Sequence, residues 1–146
     1  MAEGEKAFNG KILNVRLSQG VTEVEQLPDE MYRKYLGGYG LGARLLFDRI
    51  PAGADALGPD NVLGLMPGLL TGTPLFGIRF QAVAKSPKNN GWGDANCGGD
   101  FGPFLKNAGW DGILLYGQAS RPVYVLIEDD KAEIRDASDL WGMLAI

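Results

Sequence analysis

The chain has 146 residues, of which 45% are hydrophobic and 22% charged, and this composition is typical of one soluble domain with its own core. Its net charge of −4 argues against nonspecific nucleic-acid binding. No apolar run approaches the roughly 18 residues of a membrane span. One cysteine and no histidine exclude an internal disulfide framework, a histidine-dependent triad and a histidine-ligated metal. Because the acidic N-terminus also does not look like a signal peptide, we expect a cytoplasmic protein.

The first half of the chain predicts a hairpin, two helices and a buried strand. Alternating, branched residues indicate the two hairpin strands, and Pro28 suits the first turn of a helix that Gly37 and the next glycine end. The predicted elements are strands over 11–17 and 21–27, helices over 28–36 and 41–49, and a strand over 62–66.

The second half predicts further strands around one short helix. Asp100 is a candidate N-cap for that helix, and Asp129 and Asp130 mark a hairpin turn. The predicted elements are strands over 79–86, 112–116, 122–128 and 132–135, the short helix over 101–108, and a final helix starting near Leu140. The two halves are weakly similar, and together they predict one strand-rich α+β domain over residues 1–146.

The stretch over 67–102 is rich in glycine and poor in charge. Glycine lets the backbone approach another group closely, and Arg79 adds a fixed positive charge. This combination suits an anionic, flat or phosphorylated ligand. On glycine content alone, turns between strands are the commoner explanation.

Eight ordered segments resemble the N-terminal domain of the tungsten-containing aldehyde ferredoxin oxidoreductase family. They lie between Gly10 and Gly142, and they include YLGGYGL at 35–41, PGLLTGT at 67–73, ANCGGDFG at 95–102 and KNAGWDG at 106–112. The resemblance implies a fold of two intertwined repeats that forms a saddle for the cofactor. It also implies cytoplasmic enzymes that oxidise aldehydes to carboxylates and pass electrons to ferredoxin.

The resemblance implies a cofactor as well. Tungsten, or occasionally molybdenum, is held by the dithiolene sulfurs of two pterins, and magnesium joins the two pterin phosphates. The [4Fe–4S] cluster and most of the substrate pocket belong to later domains that this chain lacks. We therefore expect no catalytic residue here and no activity of the chain alone.

Three residues match binding positions of the family, and a fourth is expected to assist them. Arg79 matches an arginine that holds a pterin phosphate, a role suited to a planar, permanently charged guanidinium. Asn96 matches an asparagine whose backbone carbonyl ligates magnesium, and we expect it on an irregular loop. Gly98 matches a glycine whose backbone meets the pterin, and Gly99 is expected to assist. Cys97 is expected to be a small packing residue rather than a redox thiol.

The chain also departs from the family. It is much shorter than the usual member and lacks a second phosphate-holding arginine, and the segment after Leu140–Gly142 differs from the expected pattern. Two alternatives to a cofactor-binding domain therefore stay open. One is a non-catalytic structural module that self-associates, since the apolar tail around Trp141 favours a homodimer. The other is the small subunit of a split oxidoreductase with a cysteine-rich partner.

Overall fold

The computed structural model describes residues 6–75 and 77–143. These residues form eight strands and three helices, so the predicted α+β class is confirmed. None of these helices is long and apolar enough to cross a membrane. In chain order, the elements are β1 (Lys11–Arg16), β2 (Val21–Gln26), α1 (Asp29–Tyr35), α2 (Gly38–Arg49), β3 (Val62–Pro67), β4 (Phe80–Lys85), β5 (Trp92–Cys97), α3 (Phe101–Asn107), β6 (Gly112–Tyr116), β7 (Val123–Glu128) and β8 (Lys131–Asp136).

Six of the strands form one mixed sheet in the order β2-β1-β6-β3-β4-β5, and β7 pairs with β8 in a separate hairpin. β1 and β6 run parallel and place Ile12 beside Gly112. The other neighbouring pairs of the sheet are antiparallel. β2 and β5 are therefore the two edge strands. The division into two intertwined repeats that form a saddle stays a prediction.

Two apolar clusters lie on opposite faces of this sheet. On the first face, α1 and α2 pack against strand residues such as Ile12, Met66 and Val83. On the second face, α3 and the β7–β8 hairpin pack with Leu13 around the buried ring of Trp110. Successive side chains of a strand point to opposite faces, so neighbouring residues of β1 enter different clusters. This explains why the middle of β1 is buried on both sides.

The second face is covered over β1 and β6 but stays open over β4 and β5. Alternation along these two strands places five mostly small, apolar side chains on this part of the sheet. They are half-buried or exposed, and we call them the open sheet face: Phe80, Ala82, Ala84, Ala95 and Cys97.

Two glycines allow α2 to approach the sheet closely. A Cβ on Gly64 of β3 would lie 2.8 Å from Cγ2 of Val83, and one on Gly42 of α2 would lie 3.0 Å from the same atom. Larger residues at these positions would push helix and sheet apart. The close approach also seats Gly38, the first residue of α2, against Gln81 of β4, since a Cβ on Gly38 would lie 3.4 Å from Cγ of Gln81.

A buried carboxylate fixes the segment that precedes β1. The Asp111 side chain is 4% exposed and accepts hydrogen bonds from the backbone N–H groups of Asn9, Gly10 and Lys11. It also forms an ion pair with Lys106, whose side chain is 8% exposed. The start of the chain is thereby tied to the end of α3.

Two sequence predictions are wrong in this part of the chain. Residues around Asn96 were expected to form an irregular loop, but they form strand β5, which pairs along its whole length with β4. A helix was expected to start near Leu140, but residues 138–142 form turns, and residues 144–146 lie outside the described part of the chain. The Asp136 carboxylate, read as part of a capping segment, accepts a hydrogen bond from the backbone N–H of Ser138 and closes a local turn instead.

Candidate functional site

The structure brings Arg79 and Asn96 into direct contact. Nη1 of Arg79 donates a hydrogen bond of 2.6 Å to Oδ1 of Asn96. Arg79 immediately precedes β4, and the antiparallel register that pairs Gln81 with Asn96 carries the two side chains to the same side of the sheet. Residues 17 positions apart in the chain are thus neighbours at one end of the β4–β5 pair.

The charge of Arg79 is not neutralised by a carboxylate of the described residues. Other arginines form ion pairs, such as Arg16 with Glu23 at 2.7 Å and Arg49 with Glu25 at 2.6 Å. Arg79 is exposed, and its hydrogen-bond partner in the described chain is a neutral amide. Among the described residues the guanidinium charge is therefore uncompensated, and its remaining N–H donors are available to an anion.

The nearest acidic residue on this side of β5 has another partner. The Tyr39 hydroxyl, in the first turn of α2, donates a hydrogen bond of 2.7 Å to Oδ2 of Asp94. This bond raises the pKa of Tyr39 above its ordinary value, because ionisation would place two negative charges together. It also ties the beginning of α2 to the edge strand, next to Asn96.

Gly98 and Gly99 follow β5 and are both exposed. A Cβ on Gly98 would come no closer than 4.0 Å to a protein atom, the Cδ1 of Ile78, so packing within the chain does not require glycine there. Gly99 has a φ of 88° and open space around it, so its backbone conformation requires glycine. Ile78 is the residue before Arg79, so Gly98 lies close to Arg79 as well. The residues named from the sequence, Arg79, Asn96, Gly98 and Gly99, therefore lie in one region.

A cleft of about 360 Å³ opens beside this region. Its walls include Gly68, Thr71, Arg79 and Gln81. The backbone of Arg79 is held in place from the turn after β3, because its carbonyl accepts a 2.8 Å bond from Oγ1 of Thr71 and a 3.3 Å bond from the N–H of Gly68. Neither Thr71 nor Gln81 was predicted from the sequence to belong to a site.

A second, larger cleft of about 610 Å³ lies between the turn after β1 and the end of β8. Its two arginines are both paired, Arg121 with Asp136 at 2.9 Å and Arg135 with Glu133 at 2.9 Å. Their charges are already compensated, so the smaller cleft at Arg79 is the better place for an anionic ligand.

The side chains available as metal ligands also limit which metal ion could bind. Across residues 6–75 and 77–143, no group of three or more histidine, cysteine or acidic side chains is placed to hold a metal ion. A hard cation would instead need backbone carbonyls together with oxygen atoms of a ligand or water. Asn96 belongs to the edge strand β5, and alternate carbonyls of an edge strand point away from the sheet. The edge therefore suits the expected role of the Asn96 carbonyl.

The fold and this cleft first define a class: an α+β domain that presents, within its described residues, an arginine without an ion-pair partner beside exposed glycine backbone. Residues 12–146 match the family described as "Aldehyde ferredoxin oxidoreductase, N-terminal domain". The chain therefore belongs to this family of domains, and the resemblance drawn from its motifs is confirmed.

Individual relatives agree with the family. A "Tungsten-containing aldehyde ferredoxin oxidoreductase" of Thermococcus kodakarensis is 48% identical over 134 residues, which is 91% of this chain and 22% of the relative. An "Aliphatic sulfonate oxidoreductase, WOR-like subunit" of Pyrococcus furiosus is 39% identical over 140 residues, or 94% of this chain and 22% of the relative. The chain thus spans about a fifth of the length of these curated relatives.

A solved structure supports the fold directly. It is entitled "Active site complex BamBC of Benzoyl Coenzyme A reductase in complex with 1,5 Dienoyl-CoA". One of its chains superposes with a TM-score of 0.91 and 38% identity, covering 94% of this chain and 21% of the matched chain. The described architecture therefore also occurs within a larger oxidoreductase.

Proposed function

We propose that this chain is the pterin-cofactor-binding domain of a tungsten or molybdenum oxidoreductase. The observation that carries the proposal is the contact between Arg79 and Asn96, which joins an uncompensated guanidinium to an edge strand that leads into open glycine backbone. These residue types fit a phosphorylated, flat cofactor. Membership of the family independently supports the same cofactor.

Each residue has a distinct role in this proposal. Arg79 would hold a phosphate of the cofactor through charge-assisted N–H bonds, and the Asn96 carbonyl would ligate a magnesium ion between the phosphates. Gly98 would let the backbone approach the pterin, while Gly99 shapes the turn through its positive φ. The bound cofactor would supply the oxidation–reduction chemistry, and this chain would supply position and charge.

The rest of the proposal concerns the whole protein. Such an enzyme would oxidise aldehydes to carboxylates in the cytoplasm and pass the electrons to ferredoxin through a [4Fe–4S] cluster. Because one cysteine cannot ligate such a cluster, the cluster and the groups that act on substrate would come from other parts of the protein or from a partner subunit. This chain alone would be inactive.

A chimera tests the binding function. In the Thermococcus kodakarensis relative, the matching N-terminal segment would be replaced by this chain, and metal and pterin would be measured after denaturation. We expect the chimera to retain both, and Arg79→Met to lower the pterin content at least tenfold. Arg33→Met is the matched control, because Arg33 is also exposed and forms no ion pair among the described residues. A folded chimera without pterin would refute the proposal.

A second candidate is an interaction module that self-associates or serves as a small subunit. The open sheet face favours it, as does the 82% exposed side chain of Phe47 on α2. Light scattering of the purified chain distinguishes this candidate from the cofactor-binding domain. A homodimer, or co-purification with a cysteine-rich partner, would support this candidate, and a strict monomer that binds the cofactor would exclude it.

A further inference from the structure

Gln81 is a buried polar side chain whose hydrogen bonds are not accounted for. It is 8% exposed, and its Oε1 is occluded from solvent without a hydrogen-bond partner among the described residues. Its Nε2 amino group makes no hydrogen bond to these residues either, but unlike Oε1 it is not one of the occluded atoms without a partner, so it keeps access to the cleft and solvent. A carboxamide offers two donors and an acceptor; leaving the acceptor unsatisfied in the interior costs free energy, while the two accessible donors remain free to bind a group in the cleft.

The position of Gln81 explains what could satisfy its donors. Arg79, Gln81 and Val83 lie on one side of β4, with Arg79 at the exposed end and Val83 in the core. Gln81 stands between them and lines the same cleft as Arg79. An apolar residue at position 81 would pack equally well against the core. The polar Gln81, at the border between core and cleft, therefore indicates a hydrogen-bond partner in the cleft.

The first turn of α2 adds to the electrostatics of the cleft. Gly38 packs against Gln81, and α2 is 12 residues long, with no acidic residue in its first turn and no side-chain cap at Gly37. The beginning of the helix therefore contributes a positive dipole end, with the Asp94 carboxylate beside it as the partner of the Tyr39 hydroxyl. Arg79, Gln81 and this helix end all favour an anion with several oxygen acceptors.

We propose that Gln81 is a further ligand-contact residue of the cleft, which donates Nε2–H hydrogen bonds to the same phosphate group that Arg79 holds. The inference rests on the proposed function, because that function supplies the phosphate. It adds a neutral donor from β4 to the charged one, so that the phosphate is gripped from two directions rather than by one flexible arginine.

The test uses the purified chain and inorganic phosphate as the probe, followed by ¹H–¹⁵N NMR at constant ionic strength. In the unmutated protein, the side-chain amide signals of Gln81 should shift with phosphate but not with chloride. Gln81→Met, which keeps the length and removes the hydrogen-bonding atoms, should weaken phosphate binding about tenfold. Its melting temperature should be unchanged or higher, because an unsatisfied buried group has been removed.

Gln19→Met is the matched control, because Gln19 is exposed in the turn after β1, and the same change there should alter neither property. Unshifted Gln81 amide signals in a chain that binds phosphate would overturn the inference, as would unchanged affinity in Gln81→Met. If Arg79→Met loses phosphate while Gln81→Met keeps it, the inference fails and the proposed function survives. If the unmutated chain does not respond to phosphate at all, the inference fails, and the pterin content of the chimera decides the proposed function separately.

Discussion

The ion pair between Lys106 and Asp111 should be among the costliest interactions to break in this domain. Its side chains are 8% and 4% exposed, and Nζ lies 2.5 Å from Oδ1. Asp111→Asn keeps the shape of the side chain but leaves the Lys106 ammonium buried without its counter-charge. Breaking a buried pair from one side costs about 3–5 kcal/mol, so we expect a loss of about 3 kcal/mol.

Urea unfolding is the appropriate assay, with Trp110 fluorescence as the signal, since this indole is 1% exposed and adjacent to Asp111. With a denaturant dependence of about 1.5 kcal/mol per molar, the expected loss lowers the midpoint by about 2 M. Asp48→Asn is the matched control, because Asp48 pairs with Arg44 on the surface of α2 with side chains 44% and 36% exposed. Such an exposed helical pair contributes only about 0.3–0.5 kcal/mol.

A double variant completes the cycle. Adding Lys106→Met to Asp111→Asn removes the stranded charge, so at least half of the lost stability should return. If Asp111→Asn costs no more than Asp48→Asn, the carboxylate does not hold the segment before β1 through a buried ion pair and backbone hydrogen bonds.

Two further predictions concern the glycine turn and a buried tyrosine. Gly99→Ala should cost about 1 kcal/mol in urea unfolding because of its φ of 88°, whereas Gly98→Ala should leave stability unchanged and lower pterin content in the chimera; equal effects on both measurements would contradict this. Burial, with Asp111 nearby, raises the pKa of Tyr32, so the unfolded chain ionises first, and stability present below pH about 10 should fall as pH rises further. In Tyr32→Phe the melting temperature should fall less steeply between pH 9.5 and 11.5, and an identical slope in both proteins would refute this assignment.

The proposed binding residues could be named from the sequence because they lie in motifs that resemble those of a known family. The proposed role of Arg79 in phosphate binding depends only on its permanent positive charge. The motif ANCGGDFG places Gly98 and Gly99 directly after Asn96 and Cys97. The structure adds the side-chain contact between them, which depends on the register of β4 and β5. Gln81 could not be recognised in advance, because an unsatisfied amide is visible only once its neighbours are known.

Strand β5 was not predicted, because it too depends on contacts with a neighbouring strand that are visible only in the structure. Gly91, Gly93 and the polar residues around them have low intrinsic preference for strands, so the segment resembles a loop. Pairing with β4 along six positions overrides that preference. The predicted final helix is absent from the described residues for the opposite reason: Asp136 accepts a hydrogen bond as a cap would, but its bond to Ser138 closes one turn, and residues 138–142 form turns.

The placement of β6 between β1 and β3 has a consequence during synthesis on the ribosome. β1 is made first, yet its parallel neighbour begins at Gly112, about 100 residues later. At about 5–20 residues per second, the nascent β1–β2 hairpin waits roughly 5–20 s for this partner. During that interval the apolar residues of β1 lack their final cover, so the emerging polypeptide depends on β6 to complete its core and is vulnerable to aggregation until then.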